Sequence, residues 1–239
     1  MMKPLLLFDM DGTLIEMTDL SRHSPHVRHN PSYGSIKQRM KDIAAAHGIP
    51  HGEVAGLERM AHIWNAARAH ADRSGLPEEA TTALMRAINE PFMEEERADH
   101  ALSVLLPGAE EAMNSLRDAG YDMSLVTTAS RESVERILGS HEYGGLGRFF
   151  THTVTRDDCL YVKPDPEPIH RALRLHGRDG FIYVGDSDHD AEAAKAAGGA
   201  FILVNTRGYT TEHIDRLEAA AVVTRLTELP ETLRSLGYD

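Results

Sequence analysis

The 239-residue chain carries a single cysteine, Cys159. One thiol forms no internal disulfide, which excludes a secreted disulfide scaffold and any metal centre built on several thiolates. Positive charge is also scarce: 25 Lys and Arg face 37 Asp and Glu, a formal net charge of −12. That deficit argues against bulk affinity for nucleic acid or anionic lipid. A small anionic substrate stays compatible with it, because one cation or one Lys reverses the field locally. Long apolar runs are missing too. The first run, about five residues long, ends at Asp9, and no later one is longer. No membrane span or leader is therefore expected, and the expected location is cytoplasmic. Internal repeats and low-complexity stretches are likewise absent.

What remains is 41% hydrophobic, enough for a sizeable core, over a length that suits one large domain or a core with a smaller companion. Short, nearly continuous apolar runs recur at Leu5–Phe8, Met123–Val126, Phe181–Val184 and Phe201–Val204, with a weaker one at Phe149–Val154. Such runs suit parallel strands covered on both faces. Helical patterns fall between them at 107–119, after Ser130, at 166–176, at 190–197 and in the tail at 227–236. Strand and helix in alternation predict an open, Rossmann-like α/β parallel sheet flanked by helices. Residues 17–101 break this rhythm: Ile36, Met40, Ile43 and Ala44 form one helical stripe, Leu57, Met60, Ala61 and Trp64 another, and Leu84, Ala87, Ile88 and Phe92 a third. The expected division is a core of 1–16 and 102–239 with an all-helical insert of 17–101 roofing the carboxyl ends of the strands.

Four strand exits carry unusual polar residues. Asp9 and Asp11 follow LLLF, and Gly12 lets the backbone turn closely there. Two carboxylates this near repel one another unless a cation lies between them or one holds a proton, which predicts Mg²⁺, an oxygen-seeking ion that uses few carboxylates. Thr127, after Leu125-Val126, offers a hydroxyl to phosphate, with Thr128 and Ser130 as competitors for the helix cap. Lys163 lies in VKPDP, whose prolines restrict the loop and start a helix. Asp186 ends FIYVG as a metal ligand would, and Asp190, four residues on, can reach the metal, its water or Lys163.

These segments resemble the four motifs of the haloacid dehalogenase superfamily, in particular its phosphoglycolate-phosphatase-like branch: FDMDGTL, LVTT, VKPDPEPI and VGDSDHDAEAAKAAG, in order, with a helical cap inserted after the first. The resemblance implies that Asp9 is a nucleophile and Asp11 a general acid and base, that Thr127, Thr128 and Lys163 hold phosphate, and that Asp9, the Asp11 backbone carbonyl and Asp186 bind Mg²⁺ with support from Asp190. It implies a phosphatase for a small phosphorylated metabolite acting through an aspartyl phosphate. A phosphosugar mutase like β-phosphoglucomutase, an inorganic pyrophosphatase and a non-enzymatic phosphate-responsive binding module remain as alternatives. Dehalogenases lack the second Asp of the first motif, and phosphonatases replace it and use a cap Lys; here Asp11 is present, and Lys37 and Lys41 lie on a polar helix face. The segment 21–29 is rich in His and Arg, and Arg22, His23, His26 and Arg28 are candidates for contact with a second acidic group of the substrate. A monomer or homodimer is expected.

Overall fold

The computed structural model describes residues 3–17, 31–100 and 103–238. Strands β1 (Leu5–Phe8), β2 (Ile15–Met17), β3 (Ser103–Leu105), β4 (Met123–Val126), β5 (His152–Val154), β6 (Phe181–Gly185), β7 (Ala200–Val204) and β8 (Ala221–Val223) form two sheets. The larger sheet is parallel throughout in the order β5-β4-β1-β6-β7-β8. Alternating side chains of β1 serve two cores: Leu6 and Phe8 on one face, Leu5 and Leu7 on the other. Burial of both faces is why these strands read as continuous apolar runs. Helices α1 (Pro31–Ala46), α2 (His51–Val54), α3 (Met60–Ser74) and α4 (Glu78–His100) separate β2 from β3. After β3 come α5 (Ala109–Asp118), α6 (Arg131–Gly139), α7 (Glu167–His176), α8 (Asp188–Ala196), α9 (Thr211–Leu217) and α10 (Leu229–Ser235).

Crossovers leave the central β1 in both directions, so the carboxyl ends of β1, β4 and β6 border a crevice of the kind where open α/β sheets bind ligands. Register places the exits level: Phe8 aligns with Leu125 of β4 and with Val184 of β6. Thr127 and Asp186 therefore emerge level with one another and one residue beyond Asp9.

The predicted helical stripes of the insert form their own core, in which Ile36, Met40, Ala44, Ile63, Trp64, Leu84 and Ile88 pack together. Val162, next to Lys163, joins that core from the sheet side. A short ribbon that the sequence pattern does not show flanks α1 to α4: β2 and β3 pair antiparallel, with Ile15 opposite Leu105. Three residues per strand carry too little pattern to be read in sequence. The same holds for β8. The weak run at 149–154 divides into a 3₁₀ turn at Leu146–Phe149 and the short edge strand β5. Among the described residues no helix is long and apolar enough to cross a membrane.

Candidate active site

Lys163 lies at the centre of the crevice with its side chain 2% exposed. Its ammonium donates to Asp190 Oδ1 at 2.6 Å and to the Tyr183 hydroxyl at 2.7 Å, and it lies 2.8 Å from Asp9 Oδ1. Tyr183 passes its own hydroxyl hydrogen to the Val126 carbonyl at 2.5 Å, which ties Lys163 to the end of β4. The loop carrying Lys163 is held from above. Asn65 of α3 donates to the Val162 carbonyl at 2.7 Å and accepts from its amide at 2.9 Å, and the Trp64 indole donates to the Leu160 carbonyl at 3.1 Å.

Asp190 is fully buried at the start of α8, where it closes a capping box with Ser187. Its Oδ2 accepts from the Ser187 hydroxyl at 2.6 Å and from the amides of Ser187 at 3.0 Å and Asp186 at 3.2 Å. Gly185 makes this possible, since a Cβ there would lie 2.6 Å from the Asp190 Cγ.

Asp9, Asp186 and Asp190 bring carboxylate oxygens within 4.8 Å of one another. Gly12, at φ +79°, lets the first motif approach this group: a Cβ there would fall 2.1 Å from Asp186 Oδ2. Burial, then Asp190 and Asp186, push the Asp9 carboxyl up to about 8, against the pull of Lys163. Burial also raises Asp186, against Arg207. Burial works against charge on Asp190 as well, but Lys163 and the Ser187 hydroxyl outweigh it and hold that carboxyl below its ordinary value. Lys163, despite its burial, is driven well above its ordinary value by Asp190 and Asp9. The cluster is thus short of positive charge: Lys163 is shared by Asp190 and Asp9, Arg207 pairs with Asp186, and two cations against three carboxyls leave Asp9 and Asp186 favouring protons. Asp186 Oδ1 is buried and makes no hydrogen bond. An all-oxygen donor set with an orphaned carboxylate oxygen and unmet negative charge fits a divalent cation such as Mg²⁺.

Of the sequence candidates, Asp9, Lys163, Asp186 and Asp190 meet in one buried cluster. Thr127 is 3% exposed and its Oγ1 accepts from the Ala129 amide at 3.1 Å. Ser130 caps α6 by accepting from the Ser133 amide, as expected. Thr128 offers its carbonyl to Arg156 at 2.6 Å. Arg22, His23, His26 and Arg28 lie outside the described residues. Lys37 and Lys41 donate to the carbonyls of Glu58 and Ala55 and serve the insert's own structure.

Three residues escaped the sequence reading. Tyr183 was visible only as the polar tip in an apolar strand. Arg207, on the loop after β7, donates to Asp186 Oδ2 at 2.5 Å, and its neighbour Thr206 donates to the Gly12 carbonyl at 2.7 Å. The strand exit before NTRG was the available signal. His100 lies 2.8 Å from Asp11 Oδ1. No local pattern could reveal a partner 89 positions from Asp11. His189 packs its ring 4.8 Å from that of His62, and burial and Arg59 hold it down to about 3.

The profile of the haloacid dehalogenase-like hydrolases matches residues 6–204. The chain belongs to that family. It is 31% identical over 235 residues to a phosphoglycolate phosphatase of Cereibacter sphaeroides, covering 98% of this chain and 99% of the relative. It is 32% identical over 197 residues to the pyrophosphatase PpaX of Bacillus velezensis, covering 81% and 79% of the two chains. A solved haloacid dehalogenase-like hydrolase from Bacteroides fragilis superposes with a TM-score of 0.61 at 19% identity, over 95% of this chain and all of the other (100%), a likeness of fold. The protein is a hydrolase of the phosphatase type, in the phosphoglycolate-phosphatase-like branch, with a parallel-sheet core and a cap-like helical region.

Proposed function

We propose that this protein is a Mg²⁺-dependent phosphomonoesterase that transfers the phosphoryl group of a small metabolite to Asp9 and then to water. The observation that carries the reading is the buried group of Asp9, Asp186 and Asp190 around Lys163, in which Asp9 and Asp186 still favour protons despite Lys163 and Arg207. Asp9, Asp186 and the Asp11 backbone carbonyl would hold the cation, which would lower Asp9 into its anionic form and offset repulsion between that anion and the phosphate. Asp190 acts one layer out, since its oxygens already bind Lys163, Ser187 and backbone amides.

Phosphoryl transfer depends on positioning and on neutralising the equatorial oxygens. Lys163, charged and pinned beside Asp9, and the Thr127 hydroxyl supply this from the protein. Asp9 attacks phosphorus; the P–O bond to the substrate breaks, and Asp11 gives its proton to the departing alkoxide. Asp11 then takes a proton from water, whose oxygen attacks the aspartyl phosphate and releases inorganic phosphate and free Asp9. In this reading 17–101 is the cap over a core of 1–16 and 102–239, and Arg22, His23, His26 and Arg28 belong to its specificity region.

The relatives' names direct the first assay to phosphoglycolate, and the PpaX relative adds pyrophosphate as a second reading. Phosphate release should be measured with Mg²⁺ across phosphoglycolate, pyrophosphate, sugar phosphates and nucleotides, with D9N as the blank. Release from at least one small monoester, abolished in D9N and by chelation, is expected. Isomerised sugar phosphate without phosphate release points to a mutase instead, and equal release by D9N overturns the mechanism.

A further inference from the structure

Asp11 differs from the other acids of the site in its surroundings. Its side chain is half exposed, and among the described residues its one side-chain hydrogen bond is to His100 Nε2. The His100 ring is 3% exposed, and its Nδ1 has no hydrogen-bond partner. Against a carboxylate acceptor, Nε2 must carry the hydrogen. The imidazole is therefore a buried donor aimed at one acceptor.

The position of that donor is fixed by the core. His100 ends α4, and the last turns of α4 are bound to α6 and to the loop after β5. Glu96 accepts from the Ser130 amide at 3.1 Å and from the Ser133 hydroxyl at 3.3 Å, and it pairs with the buried guanidinium of Arg156. Arg97 forms a two-pronged pair with Glu132, at 2.9 and 3.0 Å. Tyr143 donates to the His100 carbonyl at 3.3 Å. A freely rotating, half-exposed carboxyl is a poor proton donor, because it samples orientations that do not face the substrate. A fixed N–H on Oδ1 removes that freedom and leaves Oδ2 as the proton-carrying oxygen.

We propose that His100 is a positioning residue for Asp11: from the end of α4 its Nε2–H holds Asp11 Oδ1 and turns Oδ2 toward the departing oxygen of the substrate. The inference rests on the phosphomonoesterase reading above. It also couples the chemistry to the helical region, because Asp11 lies in the turn after β1 and His100 on α4; undocking that helix releases the acid.

The test compares H100F, which keeps a ring and loses the donor, with H100Q, which keeps an N–H at similar reach. Each is assayed on the best alkyl monoester of the panel and on p-nitrophenyl phosphate, whose leaving group needs little protonation. H100F should lower kcat on the alkyl ester by about 10- to 100-fold with KM nearly unchanged, and should spare the first-turnover burst of p-nitrophenolate. H100Q should recover most of the rate. In a D11N background, H100F should cause no further loss. A kcat change under about twofold, a loss confined to KM, or an equal further loss in D11N overturns the proposal. Melting curves check the fold. If H100F does not fold, H100N, too short to reach Asp11, takes its place against H100Q with the same outcomes. Turnover by D9N sinks the underlying reading; an inactive D9N with a harmless H100F sinks this inference alone.

Discussion

Replacing Lys163 with Met keeps the length of the side chain and removes its charge. The Tyr183 hydroxyl stays satisfied by the Val126 carbonyl, but Asp190 and Asp9 lose their cation. Breaking a buried ion pair by removing one partner costs about 3–5 kcal/mol, because a bare charge stays behind. Two features draw the cost to the lower end. Asp9, already pushed up to about 8, takes a proton at neutral pH. Asp190 keeps the Ser187 hydroxyl and two backbone amides. A loss of about 3 kcal/mol follows, equivalent to roughly 6–12 °C in Tm for a chain of this size. The pH dependence is diagnostic. Lys163 lies above its ordinary value when folded, so its stabilisation is fully present throughout the acid and neutral range and is lost only at strongly alkaline pH. Asp190 lies below its ordinary value, so its stabilisation disappears as pH falls through the acid range. In K163M burial acts on Asp190 without Lys163, and its protonation moves upward. The deficit of K163M should therefore shrink between pH 7.5 and pH 5.0. Thermal melts of the cation-free proteins at both values read it directly. A Tm within about 2 °C of the parent at pH 7.5, or a deficit undiminished at pH 5.0, would refute the buried-pair reasoning.

G12A should weaken Mg²⁺ binding at least about tenfold and destabilise the fold by about 1–3 kcal/mol, since its Cβ meets Asp186 and a non-glycine residue at φ +79° is strained; calorimetric titration and melting check the two parts. Asp9 lies near 8 when folded against an ordinary 3.8, so the cation-free fold gains stability from a bound proton and loses it as pH rises between those values. Mg²⁺ must displace that proton, so its affinity should climb by about a decade per pH unit from pH 6 and level off above about 8; an affinity flat with pH contradicts this. N65A leaves the buried Val162 amide without a partner, while its carbonyl keeps the Asp165 amide at 3.0 Å, and should cost about 1–2 kcal/mol, read in urea melts.

The sheet was legible because its strands are buried on both faces and so stand out as apolar runs between polar exits. Asp9, Lys163, Asp186 and Asp190 were legible because each follows such a run or lies in a loop stiffened by proline. The short ribbon of β2 and β3 and the edge strand β8 were not, because three residues carry no period. Tyr183, Arg207 and His100 owe their roles to partners far along the chain, and only the packed sheet and the docked α4 bring them to the acids they touch. Asp11 shows the division most clearly: its place in the motif marks it, while the residue that holds it is visible only in three dimensions.

The most direct test is to trap the enzyme during turnover of its best monoester with Mg²⁺, reduce it with borohydride, and locate the modified residue by peptide mass spectrometry. Reduction of an acyl phosphate at Asp9, absent in D9N and in chelated samples, is the predicted result. Modification at another residue, or full turnover with Asp9 never modified, would contradict it.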